Sequence, residues 1–193
     1  MINDRTVQQD SAARVVLTPN EWRFAVDTAL SINEFANING LKHNYDASND
    51  DTFDMSIIGC AGELAVAKYF NVFWAGKVGD IQSFDVAGID VEVRATQHLL
   101  GKLILHPRAT EETKGDKADT PYVLAVYVQP TASIQKHMFR LPGWILSDDA
   151  WNTFEFKDHF QTKRPCYAIA QGHLRPMPEL KTFIRQRKMK LRG

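Results

Sequence analysis

The sequence predicts an α/β domain of the α+β kind, in which a central mixed β-sheet is flanked by helices. Three observations carry that expectation. Helical periodicity dominates residues 19–36 and 55–70, short strand patterns follow from 83 to 141, and helical periodicity returns near 178. Residues 122–128, Tyr-Val-Leu-Ala-Val-Tyr-Val, form an unbroken apolar run, typical of a strand covered on both faces. The 193 residues are 44% apolar and contain no internal repeat or low-complexity linker. They suit one domain that buries about 70% of its unfolded surface.

Residues 1–16 read as a polar N-terminal arm. Thr18-Pro19-Asn20-Glu21 marks a helix start: Thr18 suits the N-cap, Pro19 the first helical position, and Glu21 completes a capping box. Trp22, Ala25, Val26, Ala29 and Leu30 then recur at helical spacing through 19–36. An acidic loop follows, with Asp46, Asp50, Asp51 and Asp54 and no base. The second helix, 55–70, has Ile57, Ile58, Ala61, Leu64, Ala65 and Tyr69 as its core stripe. Gly59 and Gly62 weaken that helix, so both are expected where another element approaches its backbone closely.

Residues 83–86 and 89–96 read as two strands joined at an Ala87-Gly88 turn, and 102–106 continues the meander. The charged segment 109–119 reads as a mobile loop. A further strand over 136–141 stops at Pro142-Gly143, and Ser147-Asp148-Asp149 opens a short helix. Residues 166–170 add an edge strand. A basic, amphipathic helix over 178–193 closes the chain, with Leu180, Phe183, Ile184 and Leu191 on its apolar side.

Composition narrows the function. With 23 Lys+Arg against 23 Asp+Glu the formal net charge is zero, so the chain does not coat nucleic acid through its overall field. A local basic patch remains available in Arg185, Arg187, Lys188, Lys190 and Arg192, although a solvated helix end favoured by the helix dipole reads equally well. No apolar run approaches the roughly 18 residues of a membrane span, so no membrane partner is expected. The first residues lack the apolar core of a signal peptide. Cys60 and Cys166 have neither metal-ligand spacing nor a disulfide framework, and a reducing cytoplasm is the expected location.

The densest group of ionisable side chains in an apolar setting lies between Phe84 and Thr96. Alternate strand residues share a face, which puts Asp90, Glu92, Arg94 and Thr96 on one side and Ile89, Val91, Val93 and Ala95 in a core. Asp85 approaches Glu92 from the neighbouring strand; Asp90 is the alternative partner, on the same strand as Glu92. Two carboxylates that close repel each other unless a cation lies between them, and such oxygen ligands suit a hard ion such as Mg²⁺. The plainer reading of the pattern is a polar strand face with Glu92 and Arg94 in water. His98 and His106 receive no role, and Trp144, Trp151, Phe154 and Phe156 read as core rather than as base-stacking surface.

Gly59-Cys-Ala-Gly-Glu63, then Phe84-Asp85, then Glu92-Val93-Arg94 resembles the core of the PD-(D/E)XK, or restriction-endonuclease-like, nuclease superfamily. The likeness covers about residues 55–146. The strand at 122–128 and a Leu-Pro-Gly-Trp-Ile segment at 141–145 are similar to small phage-encoded members. The resemblance implies a single nuclease-like domain over 1–193, with an α-β-β-β-α-β core, that hydrolyses DNA phosphodiester bonds. It implies Asp85 and Glu92 as ligands of Mg²⁺ (or Mn²⁺), the Val93 carbonyl as a third ligand, and Glu63 reaching the metal through water or holding a second ion. Arg94 stands where lysine is usual; its planar, permanently charged fork suits phosphate oxygens and makes a poor general base. Gln97, Lys114, Lys117, Arg187 and Lys188 are the candidate DNA contacts. The resemblance further implies a homodimer, the assembly many relatives adopt, and a host cytoplasm if the chain is phage-encoded. The alternative is a catalytically silent relative that binds DNA or a protein partner as an accessory module.

Overall fold

The computed structural model describes residues 12–40, 49–79, 83–110, 115–131, 136–161 and 164–190, with the backbone alone for 49–53. Four strands form a mixed sheet: β1 (Ala13–Leu17), β5 (His137–Leu146), β4 (Pro121–Val128) and β2 (Glu92–Thr96), in that order. The β1–β5 and β5–β4 pairs are antiparallel, whereas β2 runs parallel to β4 with Glu92 opposite Tyr122 and Thr96 opposite Val126. Strands β3 (Leu103–Leu105) and β6 (Tyr167–Ile169) form a separate antiparallel pair. The helices are α1 (Pro19–Ile38), α2 (Asn49–Phe70), α3 (Ser147–Thr153) and α4 (Met177–Lys190). The α+β arrangement with a mixed sheet flanked by helices is therefore present.

The unbroken apolar run of β4 has a direct explanation in the two cores. Val123, Ala125 and Tyr127 face a core shared with α1, α2 and α4. Tyr122, Leu124 and Val126 face a second core containing Leu103, Leu105, Ala150 and Ile169. A strand covered on both faces has no polar side to present.

The start of α1 forms as its sequence dictates. Thr18 N donates to Glu21 Oε2 at 2.6 Å and Glu21 N donates to Thr18 Oγ1 at 3.2 Å, closing the capping box. Of the expected apolar stripe Ala25 and Ala29 are fully buried, but Leu30 lies largely in water. The second helix begins at Asn49, six residues earlier than expected, so Asp50, Asp51 and Asp54 occupy its first turns rather than a loop. Negative charge is favoured at that end of a helix dipole.

The two glycines of α2 differ. A Cβ on Gly62 would come within 2.8 Å of Ala95 Cβ and 3.3 Å of Ala125 Cβ, so this glycine lets α2 press onto β2 and β4. Gly59 has nothing within 4 Å and needs no glycine for packing.

Several elements depart from the sequence reading. Ala13–Leu17 is an edge strand rather than part of an arm, because Val15 and Leu17 bury themselves against β5 and α2 while Arg14 and Val16 stay exposed. Residues 1–11 lie outside the described residues. Residues 83–86 contribute only a Val86–Val91 bridge, and Ile89 and Asp90 belong to its turn. Asp90 there has φ 53° and is exposed, which removes it as a partner for Glu92.

Pro142-Gly143 does not end β5. The register against β4 shifts between Leu124 and Val126, so Pro142 falls in a bulge where its missing N–H breaks no ladder bond. Gly143 passes so close to Arg175 that a Cβ would stand 2.3 Å from the Arg175 carbonyl oxygen. Residues 167–169 pair with β3 instead of extending the main sheet. Among the described residues no helix separates β2 from β4, unlike the α-β-β-β-α-β order that the family resemblance implies. Leu180 and Ile184 of α4 are buried and Phe183 packs beside them, as expected; Leu191 and Arg192 lie outside the described residues.

The glycine contrast yields a test by urea unfolding. Gly59→Ala is expected to raise stability by about 0.5–1 kcal/mol through helix propensity. Gly62→Ala is expected to lower it by roughly 1–3 kcal/mol through overpacking. Equal effects of the two substitutions would refute the close-approach explanation.

Candidate active site

The tight seat of Gly62 on the sheet brings the next residue, Glu63, into a cleft of about 270 Å³ that Asp85 and Glu92 also line. Helix α2 stops at Asn71, which adopts φ 55°, and Val72 N donates back to Ala67 O at 3.0 Å. Trp74 then turns inward, packs edge-on against Phe24 at 5.5 Å, and donates its Nε1–H to Glu63 Oε2 at 3.0 Å. The helix thus aims the carboxyl group and the tryptophan fixes it.

Strand β2 lies at the edge of the sheet, and among the described residues no strand pairs with its outward N–H groups. Asp85, held before the Val86–Val91 bridge, takes one of them: its Oδ2 accepts from Val93 N at 2.7 Å. That bond carries Asp85 to the side of Glu92, close enough for their carboxyl groups to hydrogen-bond to each other. Glu92 is only 7% exposed. The reading of this face as a solvated polar strand is thereby overturned for Glu92.

The cation facing Glu92 is not Arg94. Lys117 Nζ donates to Glu92 Oε1 at 2.5 Å and to Ser83 O at 2.8 Å, and lies 4.5 Å over the Phe84 ring. Arg94 instead pairs with Asp116 Oδ1 at 2.6 Å and covers the Tyr122 ring at 4.9 Å. Its Nη1 also makes a long 3.4 Å bond to the Val93 carbonyl. Two consecutive loop residues, Asp116 and Lys117, therefore meet two residues on one face of β2, Arg94 and Glu92.

This part of the 109–119 segment is firmly docked. Asp116 exchanges backbone bonds with Pro107 and Ala109 at 2.9 Å each, and its Oδ2 accepts from His106 N at 2.7 Å. Gly115 admits no side chain, since a Cβ would stand 2.2 Å from Pro107 O. Lys117 N donates to the Tyr122 hydroxyl at 3.0 Å.

Crowding of negative charge shows in the titration behaviour. Burial, and then the neighbouring Glu92 charge, raise Asp85 to about 7 despite the opposing bond from Val93 N–H. Burial and the Asp85 charge push Glu63 well above the usual carboxylate range, with the Trp74 bond acting the other way. Cys60, one turn before Glu63, is driven up to about 12 by burial and by the Glu63 and Asp85 charges, so it stays a neutral thiol.

The remaining candidates lie elsewhere. Gln97 is exposed at the end of β2 and accepts from Gln129 Nε2 at 3.3 Å. Lys114 lies outside the described residues. Arg187 holds Asp119 through its carbonyl (2.7 Å) and Oδ2 (2.8 Å), and Lys188 Nζ donates to Gly88 O at 2.9 Å. These two residues of α4 grip the loops that carry Lys117 and Asp85. The sequence offers Lys117 as a candidate DNA contact rather than as the partner of Glu92, and gives Trp74 no role; nothing in their local sequence marks either as part of this carboxylate group.

Among the described residues no group of three His, Cys, Asp or Glu is placed to hold a metal ion. The donor set nevertheless suits a hard divalent cation at Asp85 and Glu92, because Mg²⁺ keeps most of its waters and needs one or two carboxylates. Comparison with protein-family models, with curated proteins and with solved structures gave no match to this chain. No helix among the described residues is long and apolar enough to cross a membrane.

Asp85 makes stability depend on pH in a stated direction. Its folded value near 7 lies above the roughly 4 of an unfolded aspartate, so between those values only the native state keeps the proton. Stability therefore falls as pH rises from about 4 to about 7. Asp85→Asn, which cannot ionise, is expected to exceed the native protein by about 2–4 kcal/mol at pH 8 and to match it near pH 4. Denaturant titrations at both pH values check this; a constant offset would show that Asp85 ionises normally.

Proposed function

We propose that this protein is a metal-dependent nuclease that hydrolyses DNA phosphodiester bonds, with a divergent restriction-endonuclease-like core. The observation that carries the reading is the meeting of Glu63, Asp85 and Glu92 in one cleft with Lys117 Nζ 2.5 Å from Glu92. Asp85 and Glu92 would hold Mg²⁺ or Mn²⁺. The bound ion would lower the pKa of a water and offset the charge that grows on the phosphate.

Hydrolysis adds water across one P–O bond. The water oxygen bonds to phosphorus, the bond to the leaving oxygen breaks, and a proton passes from the water to the leaving group. Lys117, fixed by Glu92, Ser83 O and the Phe84 ring, would turn its remaining N–H to a non-bridging oxygen. Glu63, steadied by Trp74 and raised by burial, holds a proton close to the reacting centre. Arg94 acts through Asp116 and keeps the Lys117 loop on β2, a positioning role rather than the phosphate contact its place in the motif suggests.

A catalytically silent, binding-only relative is the competing reading. It is favoured by the geometry of these carboxylates: although the three share a cleft, no three donors among the described residues are placed to hold one metal ion. One assay separates the two: cleavage of supercoiled plasmid and of single-stranded DNA in Mg²⁺, Mn²⁺ or EDTA. The nuclease reading expects the wild-type protein to cleave one or both substrates in either metal and neither in EDTA. Glu92→Gln is expected to lose it by at least about 10²-fold with the fold intact, and Lys117→Met by a similar factor. Arg94→Lys should retain most of the activity. Metal-dependent cleavage that survives Glu92→Gln would place the chemistry outside this cleft, and no cleavage of either substrate by folded wild type would leave the binding module.

A further inference from the structure

Phe73 is 84% exposed and lines the same cleft as Glu63, Asp85 and Glu92. Its neighbour Trp74 is buried, as expected where successive side chains of an extended segment point opposite ways. The ring is not exposed through slack in the chain. On one side the stop of α2 at Asn71 and Val72 fixes the backbone. On the other, Gly76 and Gly79 adopt positive φ and lie against α1, where a Cβ would come within 2.8 Å of Thr28 Oγ1 or of the Phe35 ring. A strip seated against α1 thus presents a flat apolar ring to water at the edge of a polar cleft.

The cleft narrows what the ring can meet. Its floor carries Glu63, Asp85 and Glu92, which under the nuclease reading hold the divalent cation that a phosphate would meet, and Lys77 lines its wall. A flat group with a π-face, joined to a phosphate, suits both the ring and a cation held by those carboxylates. A nucleobase inside duplex DNA has both faces covered by its neighbours, whereas an unpaired base has a face to offer.

We propose that Phe73 is a stacking platform for an unpaired nucleobase beside the scissile phosphate, so that the site selects single-stranded over duplex DNA. The inference rests on the nuclease reading of the cleft. Stacking is read by affinity, in Ca²⁺ as a cation for binding without turnover. The probes are fluorescein-labelled oligothymidine, a blunt duplex of the same length, and an abasic oligomer of the same length and charge.

The wild-type protein is expected to bind oligothymidine more tightly than either control. Phe73→Ala should lower the ratio of single-strand to duplex affinity by roughly 5- to 100-fold, and Phe73→Tyr should keep it. Equal affinity for oligothymidine and the abasic oligomer, or an unchanged ratio in Phe73→Ala, overturns the assignment. Cleavage of the same oligothymidine and of supercoiled plasmid in Mg²⁺, measured in parallel, separates the two readings. Cleavage without base preference removes the Phe73 role alone, and base preference with neither substrate cleaved keeps the stacking surface and removes the nuclease. Neither binding nor cleavage removes both.

Discussion

Glu63, Asp85 and Glu92 crowd three carboxyl groups into one largely desolvated cleft, and much of the surrounding structure offsets their repulsion. Two like charges about 4 Å apart at an effective dielectric near 20 repel by about 4 kcal/mol. The chain answers in three ways. Lys117 sets a positive charge on Glu92, burial and neighbouring charge keep a proton on Asp85 up to about pH 7, and Trp74 and Val93 N–H supply hydrogen bonds to the other carboxyl oxygens. A group of acids arranged this way is poised for a cation or a proton, which is the property the proposed chemistry uses.

Close backbone approach makes the crowding geometrically attainable. Gly62 allows α2 to seat on β2 and β4, and Glu63 follows directly from it. Gly115 allows the loop before β4 to fold back onto Pro107, which places Asp116 and Lys117 across from Arg94 and Glu92. The edge position of β2 supplies the free N–H that captures Asp85. The two glycine contacts depend on backbone being where a side chain would otherwise stand.

The basic helix α4 serves the same assembly from behind. Arg187 on Asp119 and Lys188 on Gly88 tie down both loops that frame the cleft. Charge that looked like a nucleic-acid patch is partly spent within the protein. Phe73 to Lys77 and Gly79, with the two glycines against α1, line the same cleft.

Patterns that depend on local physics were legible in the sequence. The capping box at Thr18 and Glu21, the helical stripes, the two-sided burial of residues 122–128, and the approach of Asp85 to Glu92 across a tight turn all follow from spacing and residue type. What the sequence could not reveal depends on partners distant in the chain. Lys117 reaches Glu92 across 25 positions, Pro142 is tolerated because a bulge in β4–β5 pairing falls there, and only α2 packed on the sheet distinguishes Gly62 from Gly59. Local sequence sets which residues can form an element and which ionisable groups lie in it. Which cation meets which carboxylate is decided by the tertiary structure, because charge pairing acts through space and carries no trace in the spacing of either partner.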